Sequence, residues 1–419
     1  MAESWIPTLV LIAGIAVLAP ILADFSGKLG IPEMVIEIVL GIVVGSSVLN
    51  LAHTGTVVNA FSDMGLAFLM FLAGFELDLL RIRGRPLHLA TVSWVTSAAL
   101  AVVISLAAVA TGLEHDPVVF GLTLTTTALG TLLPVIRDAG VLESEFGRHV
   151  MAVGTVGEFG PIVAVAVFLT QRDPTITILL LVAFAGIAVG AAILATRTQQ
   201  PRVLAMLKRH LHSSSQLPVR IAVLLIFLLV YLAFTLGLDV LLGAVAAGIV
   251  VRLFAEGEDS PIVQGKLEAI GFGFLIPIFF VVSGMTFDLH ALFDKPSAAL
   301  RIPLYLVLFL VVRGAPALLV YRRQLPKREL MPLGLFSVTG LPLIVVIADI
   351  GVAAGKMTHE NAAALIAAGI LSVLIFPITG LRLLQPGGGR TRPGGPAPAS
   401  SPSPTYLGPD EVPPSPARG

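Results

Sequence analysis

Long apolar runs alternate with short polar stretches along most of the chain. A bilayer crossing needs roughly 20 apolar residues. Thirteen segments meet that requirement and predict spanning helices over 5–23, 31–49, 60–79, 87–111, 117–137, 147–170, 176–197, 219–236, 239–254, 268–289, 302–321, 330–350 and 360–383. The fifth, ninth and twelfth are the least regular. From Gln385 the pattern stops, and the remaining residues are rich in Pro, Gly and Ser with almost no large apolar side chains. Such a composition predicts a disordered tail over 385–419 after a membrane domain over 1–383, with no regulatory domain following it.

Composition fixes the class. The chain is 56% hydrophobic and 12% charged, too little charge to cover a soluble protein of 419 residues. The expected fold is therefore an all-α polytopic membrane protein. A formal net charge of zero offers nothing for nucleic acid. The absence of cysteine removes disulfides, thiolate metal sites and cysteine nucleophiles. The eight histidines are scattered, so no zinc site is expected, and no cofactor or enzymatic chemistry is indicated. Glu3 stands where a signal peptide would carry Lys or Arg, and no small-x-small cleavage site follows, so the first helix is expected to be retained. With the N-terminus outside and the C-terminus in the cytoplasm, the outer loops hold only Arg172, Lys295, Arg301 and Lys356, and Arg313 lies within the membrane. This asymmetry predicts a multi-pass inner or plasma membrane protein with an odd number of helices.

The two halves echo each other. Phe71–Leu79 (FLAGFELDL) matches Val281–Leu289 (VVSGMTFDL) at Gly74/Gly284, Asp78/Asp288 and Leu79/Leu289, an offset of 210. Glu37-x-x-x-Gly41 echoes Asp239-x-x-x-Gly243 at an offset of 202, and Leu133–Ile136 echoes Leu341–Ile344 at 208. These matches predict a repeat of about six helices, 5–170 and 219–383. The linking helix 176–197 inverts the second copy, and an inverted repeat places a binding site at midplane between the halves.

Two buried charges stand out. Glu158 lies in the middle of Met151–Thr170, where a carboxylate costs about 2.5–3.5 kcal/mol on insertion scales and usually binds or relays a cation or proton. Proton and cation would compete for it, which is itself a mechanism of exchange. Arg313 is the only charge in Ile302–Tyr321. It is either an ion-pair partner that holds Glu158 permanently or one that a cation displaces. The fifth helix is interrupted around Thr125, Thr126, Thr127, Gly130 and Pro134, and the twelfth around Thr339, Gly340 and Pro342. Proline removes an amide, glycine weakens a helix and threonine bonds freed carbonyls. Paired interruptions in corresponding helices point to a transporter site, the bland alternative being two proline kinks. Glu76 and Asp78 are expected as interfacial charges, Glu37 at a subunit or domain interface, Asp288 in an outer vestibule, Asp349 at an outer helix end and His149 as a solvated interfacial residue.

The segments GKLGIPEMVIEIVLGIVVGSSVLN, TTTALGTLLPVIRDAGVLESEFGRHVMAVGTVGEFGPIV and FGFLIPIFFVVSGMTFDL resemble the monovalent cation:proton antiporter superfamily, in its bacterial Kef-type and sodium/proton exchanger branch. The likeness spans residues 5–383. It implies a core domain, helices four to six and eleven to thirteen, with two crossed interrupted helices, moving as an elevator against a dimerisation scaffold. It further implies a homodimer that exchanges protons for Na+ or K+, with Glu158 at the site carboxylate and Arg313 where relatives carry Lys or Arg. The chain departs from the pattern at two points. Glu158 replaces the usual Asp, and Gly157 replaces an Asp, Asn or Gln. A single acid implies electroneutral one-for-one exchange, with Thr126 and Thr127 as further ligands. A channel-like K+ efflux path without strict coupling and a non-transporting membrane sensor remain alternatives, as does an organic-solute carrier.

Overall fold

The computed structural model describes residues 5–25, 31–77, 82–169, 173–197, 216–254, 260–293 and 296–384. The chain divides into two units, Met1–Leu384 and Gln385–Gly419. The second unit, expected as a disordered tail, lies outside the described residues, as do Asp78, Leu79 and Lys295.

The described residues are helical and follow the thirteen expected segments. They are α1 (Trp5–Phe25), α2 (Glu33–Val44), α3 (Thr56–Glu76), α4 (Arg85–Ala110), α5 in two halves (α5a, Pro117–Leu124; α5b, Leu129–Asp138), α6 (Glu145–Phe168), α7 (Pro174–Arg197), α8 (Leu217–Leu236) and α9 (Val240–Phe254). Next comes α10, built from Ser260–Ile270, a π-helical turn Gly271–Leu275 and Ile276–Met285. A short turn, Leu289–Phe293, leads to α11, built from Pro296–Phe309, a π-helical turn Leu310–Gly314 and Ala315–Tyr321. Last are α12 in two halves (α12a, Lys327–Phe336; α12b, Leu341–Ala353) and α13 (His359–Leu384). Among the described residues nine helical segments are long and apolar enough to cross a membrane, the broken α12 counted as one of them.

Local chemistry sets several ends. Asp116 caps α5a by accepting from the Val118 and Val119 amides at 2.9 Å, with Pro117 at the first turn where its missing N–H costs nothing. Ser144 caps α6 through the Gly147 amide at 3.0 Å. Two elements differ from expectation in length. The second helix stops at Val44, where Gly45 turns away and donates back to the Gly41 carbonyl at 2.9 Å. The tenth begins at Ser260 and ends at Met285.

Helix pairing reveals the repeat. α2 packs on α10 and α3 on α9. A Cβ on Gly41 would lie 2.2 Å from the Val281 carbonyl oxygen, and one on Gly284 2.1 Å from that of Ile38. On the other pair, a Cβ on Gly248 would lie 2.0 Å from the Phe71 oxygen, and one on Gly74 2.3 Å from that of Val245. The four contacts map onto one another when α2 is shifted by 207 residues and α3 by 210, the reciprocity that a pseudo-two-fold axis requires. The true partner of Gly41 is therefore Gly248, not Gly243. The segment Gly41–Val44 and its counterpart 248–251 both read GIVV. Side by side, α4 packs on α5a and α6, while α13 packs on α11, α12a and α12b.

Candidate functional site

The two interrupted helices cross at their breaks. α5 unwinds over 125–128 and α12 over 337–340. The Ala128 amide donates to the Thr339 carbonyl at 2.5 Å, and Thr127 Oγ1 donates to the Ser337 carbonyl at 2.5 Å. The half-helices resume at Leu129 and Leu341, an offset of 212, so Thr127 corresponds to Thr339 and Ala128 to Gly340. The sequence match at 208 was out of register. Gly130 and Pro134 accordingly lie beyond the break, within α5b, whereas Pro342 sits in the first turn of α12b.

Hydroxyls close the half-helices that end at the breaks. Thr125 Oγ1 donates to the Leu122 carbonyl at 2.9 Å and Thr126 Oγ1 to that of Thr123 at 3.0 Å. On α12a, Ser337 Oγ donates to the Gly334 carbonyl at 2.7 Å and Thr339 Oγ1 to that of Phe336 at 2.9 Å. Carbonyls left by the end of a helix are thus satisfied by its own side chains. Gly340 is needed at the crossing, because a Cβ there would lie 2.4 Å from Thr126 Oγ1. At the crossing, the positive N-termini of α5b and α12b and the negative C-termini of α5a and α12a meet within one buried region.

Glu158 projects from α6 into this region and is 5% exposed. Its Oε2 accepts the Leu129 backbone N–H at 3.0 Å, so the carboxylate caps the N-terminus of α5b. One residue earlier, the Gly157 carbonyl accepts the Thr127 amide at 2.9 Å. That carbonyl is available because Pro161, four residues on, has no amide to bond it. The Gly157–Pro161 spacing therefore docks α6 onto the broken backbone of α5.

Arg313 lies in the π-helical turn of α11 and is 1% exposed. The structure does not bring it onto Glu158. No ion pair joins the two, and Arg313 instead donates to Thr127 Oγ1 from Nη2 at 2.6 Å and Nε at 3.1 Å. A weaker contact runs from Nη2 to the Val153 carbonyl at 3.5 Å. The expected Glu158–Arg313 ion pair is thus replaced by a guanidinium–hydroxyl anchor, with one face of α6 serving Arg313 and another presenting Glu158. His149 also differs from expectation. It is buried, with its ring edge-on to Tyr321 at 5.2 Å between centroids. Glu37 is buried in α2. Among the described residues no His, Cys, Asp and Glu cluster suits a resident metal.

Sequence reasoning singled out Glu158, Thr126, Thr127, Arg313, Thr339 and Gly340, and all of them meet around the crossing. It gave no role to Ser337, which lies in the interrupted stretch of the twelfth helix, and missed the backbone groups of Leu129 and Val153. Main-chain donors leave no mark in side-chain identity, although the Gly157–Pro161 spacing is a signal from which a free carbonyl could have been inferred.

A buried carboxylate capping one of two crossed half-helices defines a secondary transporter with discontinuous helices. The chain belongs to the sodium/hydrogen exchanger transmembrane family, whose model matches residues 13–385. This is a family of transporters, not enzymes. The chain is 29% identical over 395 residues to the putative Na+/H+ antiporter YjbQ of Bacillus subtilis strain 168, a match covering 90% of this chain but only 63% of that protein's length. It is 22% identical to an Na+/H+ antiporter of Enterococcus hirae, over 85% of this chain and 92% of the relative. It is 24% identical to the Na+/H+-K+ antiporter GerN of Bacillus cereus, over 84% and 90%. The fold matches that of the sodium proton antiporter MjNhaP1 from Methanocaldococcus jannaschii with a TM-score of 0.64 at 18% identity, covering 90% of this chain and 97% of the other.

Proposed function

We propose that this protein exchanges protons for a monovalent cation, Na+ or K+, with Glu158 as the single carboxylate that carries one or the other. The observation that carries this reading is the state of Glu158. It is buried, it has no ion-pair partner among the described residues, and it accepts one backbone N–H through Oε2. Oε1 is therefore left for a proton or a cation. A carboxylic acid and a cation-bound carboxylate are both neutral in that environment, whereas a bare carboxylate away from water is costly. Occupancy by one ligand excludes the other, and with one acid the exchange is one-for-one and electroneutral.

The Thr126 hydroxyl uses its proton on the Thr123 carbonyl and keeps lone pairs for a cation beside Glu158. Glu76, at the end of α3, lies within electrostatic range of Glu158, Glu268 and Arg137. The grouping of α4–α6 with α11–α13 against the paired α2, α3, α9 and α10 suits an elevator, in which a core slides on a scaffold. The scaffold would also form the homodimer, with the N-terminus outside and the C-terminus in the cytoplasm. The names of the relatives, two Na+/H+ antiporters and an Na+/H+-K+ antiporter, favour coupled exchange over a channel-like path.

The test is proton flux in proteoliposomes holding the purified protein and an interior pH dye. Na+, K+ or Li+ is added in turn, with Glu158→Gln beside the wild type. Cation-triggered pH change in the wild type alone supports the reading and ranks the cations. Silence with every cation rejects it.

A further inference from the structure

We propose that Arg313 is a positioning residue, seated in the side-chain slot that Gly157 leaves open, and that it shapes the cation site through Thr127 rather than as counter-charge to Glu158. This rests on the antiporter reading and deepens it.

The slot is defined by geometry. A Cβ on Gly157 would lie 2.4 Å from Arg313 Nη2, 2.5 Å from Thr127 Oγ1 and 2.7 Å from Thr127 Cβ. A side chain at 157 and the guanidinium in its present seat exclude each other. The guanidinium then uses two donors on one acceptor, Thr127 Oγ1, at 2.6 and 3.1 Å. That hydroxyl passes its own proton to the Ser337 carbonyl at 2.5 Å, and Ser337 Oγ returns a bond to the Arg313 carbonyl at 3.2 Å. The ring closes on itself and ties α5, α11 and α12 together at the crossing.

A hydroxyl has one proton and two lone pairs. Thr127 Oγ1 has spent all three, so it is an anchor for the break and not a cation ligand. Its amide is held as well, by the Gly157 carbonyl at 2.9 Å. With both ends of Thr127 fixed, its neighbours are placed. Thr126 comes immediately before it, and Leu129, whose amide binds Glu158, comes two residues after. Residues 157 and 158 point about 100° apart on α6, so the guanidinium seat and the carboxylate occupy different faces of one turn. Arg313 thus acts on the distance between Thr126 and Glu158 without touching either.

The experiment compares wild type, Arg313→Lys, Thr127→Val and Gly157→Ala in proteoliposomes. It reads the half-saturating cation concentration and, with the cation held at the same multiple of that concentration for each variant so that competition with the proton is matched, the pH dependence of exchange. Every substitution conserves charge. Lysine keeps the positive charge but lacks the two-donor fork, valine keeps the shape of Thr127 without its hydroxyl, and alanine fills the slot. Each is expected to raise the half-saturating cation concentration about tenfold, the scale of one lost charge-assisted hydrogen bond. Thr127→Val combined with Arg313→Lys is expected to be no worse than either alone, and the pH dependence to stay where it was. Arg313→Lys indistinguishable from wild type would overturn the proposal, because charge alone would then suffice. A displaced pH dependence in Gly157→Ala would overturn it too. Should Arg313→Lys fail to fold, Thr127→Val with wild-type cation affinity gives the same negative answer. A wild type that exchanges nothing rejects the antiporter reading itself, a result separate from all of these.

Discussion

Glu158 caps a helix to which it does not belong: its carboxylate accepts the backbone N–H of Leu129 at 3.0 Å, at the first residue of α5b. The extra methylene of Glu over Asp provides that reach. Glu158→Asp is expected to keep a titratable group but lose the bond, at a cost of about 1 kcal/mol, typical of a lost N-cap. Exchange should persist with a several-fold higher half-saturating cation concentration. Glu158→Gln keeps the length and the cap, loses the exchangeable proton and should abolish exchange. An Asp variant as dead as Gln in the liposome assay would argue against the capping role.

The glycine seams make a reciprocal prediction. Alanine at Gly41 or at Gly248 places a methyl 2.2 or 2.0 Å from a backbone oxygen, which can yield only by parting the helices. Overpacking of this kind costs about 1–3 kcal/mol. Two positions related by the repeat should suffer alike. Gly14→Ala and Gly186→Ala, with nothing within 4 Å, should be neutral or slightly stabilising through helix propensity. Thermal melting of the detergent-solubilised protein decides. Unequal losses at Gly41 and Gly248 would count against the two-fold relationship.

Much of this architecture could be read from the chain. Apolar length marked every helix, because a bilayer leaves each backbone amide only its own helix as partner. Glu158, the acid midway along α6, and the threonine-rich breaks were conspicuous for the same reason, since polar groups at that depth need a purpose. Register was harder. The Leu-Pro match misaligned the breaks because Pro134 sits mid-helix in α5b while Pro342 sits at a helix start, two positions that tolerate proline for different reasons. The expected Glu158–Arg313 pair was reasonable from charge alone. It fails because Gly157 opens a seat nearer to Thr127, a matter of volume that composition does not display.

Gly340 has no room for a side chain where the two breaks cross, and Gly130 shows that the location, not the residue type, is decisive. A methyl at 340 meets Thr126 Oγ1 at 2.4 Å and its carbonyl oxygen at 3.0 Å. Gly340→Ala should therefore wedge α5 from α12 and lower both cation affinity and maximal exchange rate at least tenfold. Gly130→Ala, with nothing within 4 Å, should leave exchange close to wild type. Equal activity of the two variants in proteoliposomes would show that the breaks do not need contact.

Away from the crossing, Glu114 ties the loop before α5a to α11 and α13. It accepts from Tyr305 Oη at 2.5 Å and Asn361 Nδ2 at 2.7 Å, while Arg301 donates to Asn361 Oδ1. Burial pushes its carboxyl above the ordinary carboxylate range, and the bonds from Tyr305 and Asn361 and the charges of Arg301 and His115 oppose that rise. The folded state therefore holds this proton more tightly than the unfolded chain. Its contribution is fully present below the ordinary Glu range and is lost as pH climbs through the raised value. Tyr305→Phe removes a donor that favours the ionised form, so the folded value moves further up. The stability deficit of the variant should be small in acid and widen with rising pH to about 1.5–3 kcal/mol, the worth of a hydrogen bond to a charged group. Melting curves of wild type and Tyr305→Phe from acid to alkaline pH measure the gap directly. A deficit independent of pH would mean that the phenol contributes packing alone and that Glu114 stays protonated throughout.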